Sequence, residues 1–117
     1  MKHETRYIDA LGLDIQFKIG QNAQDNFAVI ESAEPVDLWF HVNDHSSSHV
    51  VATIPPNVQF NKKQLMYIAK QGAILCKQHS KYKSQQKVCI IYTTIQNVQP
   101  TNIPGTVITQ NTKTVVI

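Results

Sequence analysis

The chain has 117 residues, of which 42% are hydrophobic and 16% are charged, and its formal net charge is +3. This length suits one domain with a modest core, and this composition excludes a disordered chain. No apolar run approaches the roughly 20 residues that a membrane-spanning helix needs, and the N-terminus lacks the apolar core of a signal peptide. We therefore expect a single cytoplasmic domain over residues 1–117, without membrane contact and with its two cysteines as buried thiols.

The charge is distributed unevenly along the chain. Residues 1–44 contain all eight acidic residues and three basic ones, a net charge of −5, whereas residues 45–117 contain eight lysines and no acid, a net charge of +8. Seven of those lysines lie between Lys62 and Lys87. This asymmetry predicts a surface that faces a polyanion, although lysines that merely solvate a helix face would give the same pattern.

The first half of the chain predicts two hairpins with a short helix between them. In residues 5–20, Ile15, Phe17 and Ile19 alternate with polar residues after an LGLD turn, which is the pattern of a half-buried strand. Residues 20–26 are rich in turn formers, and residues 27–33 predict the short helix. Residues 37–54 then predict a hairpin whose tip carries the polar sequence NDHSSS.

The second half predicts one long helix followed by strands. Asn61 suits a helix cap, apolar residues then recur at three- and four-residue steps, and the helix should end at about His79 before the basic loop SKYKSQQ. Residues 87–94 predict a strand that is central in a sheet, because they are apolar on both faces, and residues 106–117 predict a last hairpin. The expected fold is α+β, with a mostly antiparallel sheet packed against one main helix.

Three of the five histidines, His41, His45 and His49, are spaced four residues apart within DLWFHVNDHSSSHV. In the predicted hairpin, His41 and His49 could become cross-strand neighbours with His45 at the tip, so the helical spacing of a zinc site does not apply. The two histidines could still join Asp37 or Asp44 on a metal. Ser48 lacks the nucleophile elbow and the third group of a hydrolase, and no phosphate-binding glycine-rich loop is present. We predict no catalytic residue, metal or cofactor, and interpret the cluster either as polar recognition or as mutual hydrogen bonding that holds the hairpin.

Several motifs together resemble one family. The sequence DLWFHV followed by SSHVV resembles the D-[IL]-W-F-H…G-S-H-V pattern of the NFACT-R domain, the RNA-binding part of the NFACT ribosome quality-control factors. Further motifs follow in the family's order over residues 14–117. GQNAQDN resembles the family's G-R-N-x-x-q-N-D segment, and IPGTV resembles its P-G-x-V turn. Between them, KQHSKYKSQQKVCIIYTT resembles S-K-A-R and the following V-x-V-x-Y-T strand. Gln21 replaces the usual Arg, Ser47 replaces Gly, and Lys83 replaces the Arg of S-K-A-R, which keeps the charge without the bidentate geometry.

The resemblance implies a stand-alone RNA-binding module that acts near translation, with tRNA, rRNA or the ribosome as its partner. We expect lysines to pair with phosphates, and a polar pocket to hold a nucleotide or sugar–phosphate feature of structured RNA. Trp39 could stack on a base if it is exposed, or anchor the core if it is buried. The candidate RNA-binding residues are Lys62, Lys63, Lys77, Lys81, Lys83, Lys87, Gln21, Asn22, Trp39, His41, Ser48 and His49.

Two other classes of function remain open. One is an RNA-modifying or hydrolytic enzyme in which His41 and His49 act as acid–base groups with an ordinary pKa near 6.5. The other is a module whose basic face binds an acidic protein or DNA, since the family includes a member thought to sense DNA. The last apolar strand, which ends at Ile117, could also pair with a partner or a second copy, so the oligomeric state stays open.

Overall fold

Eight strands and two α-helices form the regular structure of the chain in a computed structural model that describes residues 1–117. The strands are β1 (Lys2–Ile8), β2 (Leu13–Ile19), β3 (Leu38–Val42), β4 (Val50–Thr53), β5 (Cys89–Thr94), β6 (Val98–Pro100), β7 (Val107–Thr109) and β8 (Lys113–Val116), and the helices are α1 (Ala23–Glu31) and α2 (Lys62–Gln78). Six strands form a sheet in the order β1-β2-β4-β3-β5-β8, β6 and β7 pair separately, and every pairing is antiparallel. The predicted α+β class is confirmed.

The long helix α2 packs against one face of the six-stranded sheet. It begins and ends close to the predicted positions. Its start is fixed by a capping box, in which the Asn61 side chain accepts from the Gln64 N–H while the Gln64 side chain accepts from the Asn61 N–H. Gly72 lies so close to the Phe40 ring of β3 that an added Cβ would overlap it. A residue without a side chain at this point therefore sets how closely α2 approaches the sheet.

The opposite face of the sheet is covered by α1 and the β6–β7 pair. Trp39 and Val51 of the sheet pack there with Val29 of α1 and Val98 of β6. The structure corrects the helix predicted over residues 27–33, since α1 begins at Ala23. The turn-prone residues before it are a helix start, because the Asn22 side chain caps α1 by accepting from the Asp25 N–H.

The predicted hairpin over residues 106–117 is wrong. Strand β7 pairs with β6, whereas β8 pairs with β5 at the edge of the larger sheet. Between β7 and β8, Asn111 adopts a φ of 54°, and the buried Thr93 hydroxyl lies 3.1 Å from the Gln110 carbonyl oxygen and 3.2 Å from that of Asn111. These contacts hold the chain where it crosses from one sheet to the other.

Antiparallel pairing brings several chain ends together at one end of the larger sheet, which we call the cleft end. Strands β2 and β3 end there, and β4 and β5 begin there. Helix α2 also ends there. Its C-cap residue His79 lies beside the segment before β4, since the His79 carbonyl accepts from the Ser48 hydroxyl. The 17 residues of α2 span about 25 Å, so its first residues lie at the opposite end of the domain. Neither helix has both the length and the hydropathy that crossing a membrane requires.

Both cysteines carry free thiols, as predicted. Cys76 lies on the buried face of α2, and burial raises the pKa of its thiol to about 12. Cys89 begins β5 and is half-buried. The prediction of buried thiols is therefore confirmed fully for Cys76 and partly for Cys89.

Candidate nucleic-acid interface

A polar cleft of about 430 Å³ opens at the cleft end of the sheet. Its walls come from the β2–α1 junction, the end of β3, the β3–β4 tip, the residues after α2 and the turn between β6 and β7. Five of the predicted RNA-binding residues line it, namely Gln21, Asn22, His41, Ser48 and Lys81. Elements that are distant in the sequence therefore bring these side chains to one place, and no acidic residue lines the cleft.

A smaller space, which we call the side pocket, adjoins the cleft and has a volume of about 280 Å³. His41 and Thr106 line both spaces, so the two are adjacent. Ile91 and Val107 give the side pocket branched apolar side chains, which the cleft lacks. The two spaces therefore differ in chemistry although they share a boundary.

The backbone of His49 connects α1 with the residue that follows β2. Its N–H donates to Asn26 Oδ1 of α1 at 3.0 Å, and its carbonyl accepts from the Gly20 N–H at 2.9 Å. Gly20 and Asn26 lie so close that a Cβ on Gly20 would overlap Asn26 Oδ1. Glycine is therefore required at position 20 for the start of α1 to reach the strand before β4.

The His49 side chain is a buried structural group and is only 1% exposed. Its Nδ1 accepts from the Trp39 indole N–H at 3.2 Å. Burial is the main cause that lowers the pKa of His49 to about 3, and the neighbouring charge of His41 lowers it further. The ring is neutral at pH 7, and its small exposed part lines the side pocket together with Trp39.

Trp39 is likewise 1% exposed, so its ring offers no open face for stacking on a base, although its edge lines the side pocket. The sequence left two interpretations of this residue open, and its burial supports the core anchor. The indole ring lies parallel to His41, with centroids 5.6 Å apart and an angle of 10° between the planes. Trp39 therefore contributes to the site by stacking on the His41 ring.

His41 lies at the boundary between the cleft and the side pocket, and its ring is half-buried. Its Nδ1 donates to the Val42 carbonyl at 2.7 Å, which leaves Nε2 as a hydrogen-bond acceptor in the neutral ring. Burial lowers the pKa of His41. The rings of His41 and His49 are cross-strand neighbours, as predicted, with centroids 4.9 Å apart.

Burial lowers the pKa of both histidines, whereas the enzyme hypothesis assumed two histidines with an ordinary pKa near 6.5. The Ser48 hydroxyl donates to the carbonyl of His79 at 3.4 Å, so it is not paired with a histidine base as a nucleophile would be. No three side chains of His, Cys, Asp or Glu converge in a way that could hold a metal ion. The cleft presents hydrogen-bonding side chains and the ammonium group of Lys81.

The serines of the β3–β4 tip divide into structural and free hydroxyls. The Ser47 hydroxyl lies 3.0 Å from the Val42 N–H, from which it accepts, and donates to the Ser48 carbonyl at 3.2 Å. Ser46 is exposed, lines both spaces, and its hydroxyl has no partner within the chain. Ser46, which the sequence analysis did not select, is thus the serine of the tip with a free hydroxyl.

The predicted lysines near the cleft follow α2. Lys81 lines the cleft, and Lys83 and Lys87 are exposed in the same segment. Lys77 is half-buried, and its Nζ lies 3.0 Å from the carbonyl oxygen of Ile117, to which it donates. These residues keep positive charge at the cleft end of the sheet.

The structure does not bring Lys62 and Lys63 to the cleft. Both begin α2 at the opposite end of the domain. Lys62 lines a separate cavity of about 420 Å³ there, with Leu65 and Lys113 among its neighbours. Lys62 and Lys63 are close to Lys81 in the sequence, but α2 separates them in the structure.

Sequence reasoning also missed Asn26 and Thr106, which line the cleft. A signal for Asn26 was present, because it ends the GQNAQDN motif on which the resemblance partly rests. Thr106 follows the PG turn and carries no separate signal. Its place at the cleft depends on the pairing of β6 with β7, which joins residues far from the rest of the site.

Comparison with known proteins agrees with this architecture. A solved structure titled "The structure of the C-terminal of the fibronectin/fibrinogen-binding protein from Streptococcus suis (FBPS)" is similar with a TM-score of 0.79 and 23% identity, and the match covers 100% of this chain and 45% of that chain. At this identity the likeness shows the fold alone, and the chain spans less than half of that protein chain. None of the curated proteins is significantly similar. The family model described as NFACT protein RNA binding domain matches residues 14–113, and the chain therefore belongs to the family of NFACT RNA-binding domains.

Proposed function

We propose that this domain binds structured RNA, either tRNA or rRNA, through the cleft end of its sheet, and that it acts with the ribosome in quality control of translation. The family supports RNA as the class of partner. The observation that carries the proposal is a polar cleft without acidic residues that has Lys81 in its wall. Lys62 and Lys63 lie outside the proposed interface because they begin α2 at the far end.

The lysines at this end are available to phosphates. The ion pairs of the chain join Met1 with Asp25 and Arg6 with Glu4, so they leave the ammonium groups after α2 unpaired. Each lysine that neutralises a phosphate releases condensed counterions and steepens the salt dependence of binding by slightly less than one unit. Contacts from Lys81, Lys83 and Lys87 predict a slope of log affinity against log salt of about −2 to −3.

Polar groups of the cleft would add recognition to this electrostatic attraction. Ser46 offers a free hydroxyl and His41 offers an acceptor nitrogen. Such groups suit RNA loops and ends, where bases and 2′-hydroxyls are accessible, better than they suit a regular duplex. We therefore expect preference for structured RNA with unpaired nucleotides over duplex DNA.

Fluorescence anisotropy tests the proposal with the intact chain and labelled tRNA, an rRNA fragment and duplex DNA over a series of salt concentrations. We expect RNA to bind more tightly than duplex DNA, with the negative slope given above. Co-sedimentation with ribosomes then tests the link to translation. Equal affinity for RNA and duplex DNA would favour the DNA-binding alternative, and no RNA binding at low salt would overturn the proposal.

A further inference from the structure

We infer that the cleft and the side pocket together hold one unpaired nucleotide of the RNA, with its phosphate at the N-terminus of α1 and its base in the side pocket. This inference rests on the proposed RNA binding. It goes further by assigning the phosphate and the base to two different groups of residues.

The phosphate subsite begins with the backbone of α1. The Gln21 N–H donates to the Asp25 carboxylate, and the Asp25 N–H donates to the Asn22 side chain. The next N–H groups, those of Asn22, Ala23 and Gln24, have no partner within the chain. Asn22 and Ala23 line the cleft, and unpaired N–H groups at a helix N-terminus are well suited to a phosphate.

A second, independent observation points to a ligand at the same place. Asn26 is only 7% exposed and lines the cleft. Its Oδ1 accepts from the His49 N–H, which fixes the orientation of the amide and leaves Nδ2 as the donor. No hydrogen bond within the chain uses Nδ2. Nδ2 is therefore a free donor at the cleft wall on an otherwise buried side chain, and a ligand oxygen in the cleft would satisfy it.

The charges around the cleft favour an anion. Lys81 lines it and has no ion-pair partner within the chain. The acid in the first turn of α1 is Asp25, which does not line the cleft and whose carboxylate is occupied by the Gln21 N–H and the Met1 amino group. A phosphate in the cleft would thus meet N–H donors and an ammonium group without facing a carboxylate.

The side pocket has the chemistry of a base site. Ile91 and Val107 provide apolar surface for a ring face, while Thr106 and Thr109 contribute hydroxyl groups for a polar edge. His41 stands between the two spaces, and its Nε2 can accept from an exocyclic amine or a ribose hydroxyl. A free phosphate would leave this second space unused, which is why we assign a nucleotide.

Two-dimensional NMR of the 15N-labelled chain with nucleoside 5′-monophosphates, nucleosides and inorganic phosphate tests the assignment. We expect the monophosphates to shift the amide signals of residues 22–24, the Asn26 side-chain signal and the signals of residues 106–109. Inorganic phosphate should shift the first two groups alone, and a nucleoside should shift the third. Signals that move elsewhere, or nowhere, at millimolar nucleotide would overturn the inference.

The variant Asn26→Asp tests the phosphate subsite directly. It keeps the acceptor for the His49 N–H but replaces the free donor with an anionic oxygen, so nucleotide affinity should fall about tenfold or more. Asn57→Asp introduces the same charge change in an exposed loop at the opposite end and should leave the affinity unchanged. If Asn26→Asp does not fold, Lys81→Gln serves the same purpose, since it removes a cleft charge at an exposed position.

These experiments separate the inference from the function on which it rests. A parent chain that binds RNA but no mononucleotide overturns the inference and leaves the RNA-binding function intact. The salt slope for RNA should be nearly unchanged in Asn26→Asp, because the lysines remain. Unaltered nucleotide affinity in both Asn26→Asp and Lys81→Gln would also refute the assignment.

Discussion

Replacing His49 with alanine distinguishes a structural histidine from an RNA contact. The change leaves the buried Trp39 N–H without its acceptor, which costs about 1–3 kcal/mol, and truncating a large buried side chain typically costs about 2–5 kcal/mol. Because the two costs overlap, we expect the free energy of unfolding to fall by about 3–5 kcal/mol out of a total of about 5–15 kcal/mol. The backbone bonds of His49 to Asn26 and Gly20 do not depend on the ring, so the fold should survive.

The assay combines thermal unfolding with RNA binding. A domain of this length loses about 4 °C of melting temperature per kcal/mol, so His49→Ala should melt about 12–20 °C below the parent. RNA affinity, measured well below both transitions, should change less than about threefold, because the lysines remain and only 1% of His49 is exposed at the side pocket that it lines. His3→Ala, an exposed histidine on β1, is the matched control and should cost at most about 0.5 kcal/mol. A folded His49→Ala variant that melts with the parent but loses RNA affinity would refute the structural role.

Three further predictions follow from the packing and the titrating groups. Burial lowers the pKa of His49 to about 3 and also lowers that of His41, while an unfolded histidine titrates near 6.5. The unfolded state then binds more protons, so the free energy of unfolding should fall as pH drops from about 6.5 towards 3. In urea titrations at pH 7.5 and 4.5, the free energy of unfolding should fall less in His49→Ala than in the parent. An equal fall in both would contradict this origin. Gly72→Ala places a methyl group against the Phe40 ring and should destabilise by about 1–3 kcal/mol in urea titrations, whereas a neutral result would mean that α2 can move away from the sheet. Asn22→Ala removes the cap of α1 and should cost about 1 kcal/mol in the same assay, and no loss would show that the cap is dispensable.

Local signals were sufficient for the elements in the middle of the chain. The cap at Asn61 and the apolar periodicity after it predicted α2 with nearly correct ends. Alternation and a polar tip predicted the β3–β4 hairpin and placed His41 beside His49, since the register of a hairpin follows from its turn. The sequence could not decide whether Trp39 was buried, because burial depends on α1 and β6 covering that face.

Features that depend on distant partners were not predictable in the same way. The apolar residues of β7 and β8 indicated two strands, but their true partners are β6 and β5, and a short connecting segment made the wrong pairing attractive. Lys62 and Lys81 belong to one acid-free half of the sequence, yet α2 carries them to opposite ends of the domain. Asn26 joined the site only because Gly20 lets α1 approach His49 closely.

RNA binding by two charge-reversed variants tests the location of the interface most directly. Lys81→Glu/Lys83→Glu and Lys62→Glu/Lys63→Glu have the same net charge but alter opposite ends of the domain. We expect the first variant to weaken tRNA binding at least about tenfold and to reduce the steepness of the salt slope by about 2, and the second to stay within about threefold of the parent. Equal losses in both variants, or a loss confined to Lys62→Glu/Lys63→Glu, would contradict an RNA interface at the cleft end of the sheet.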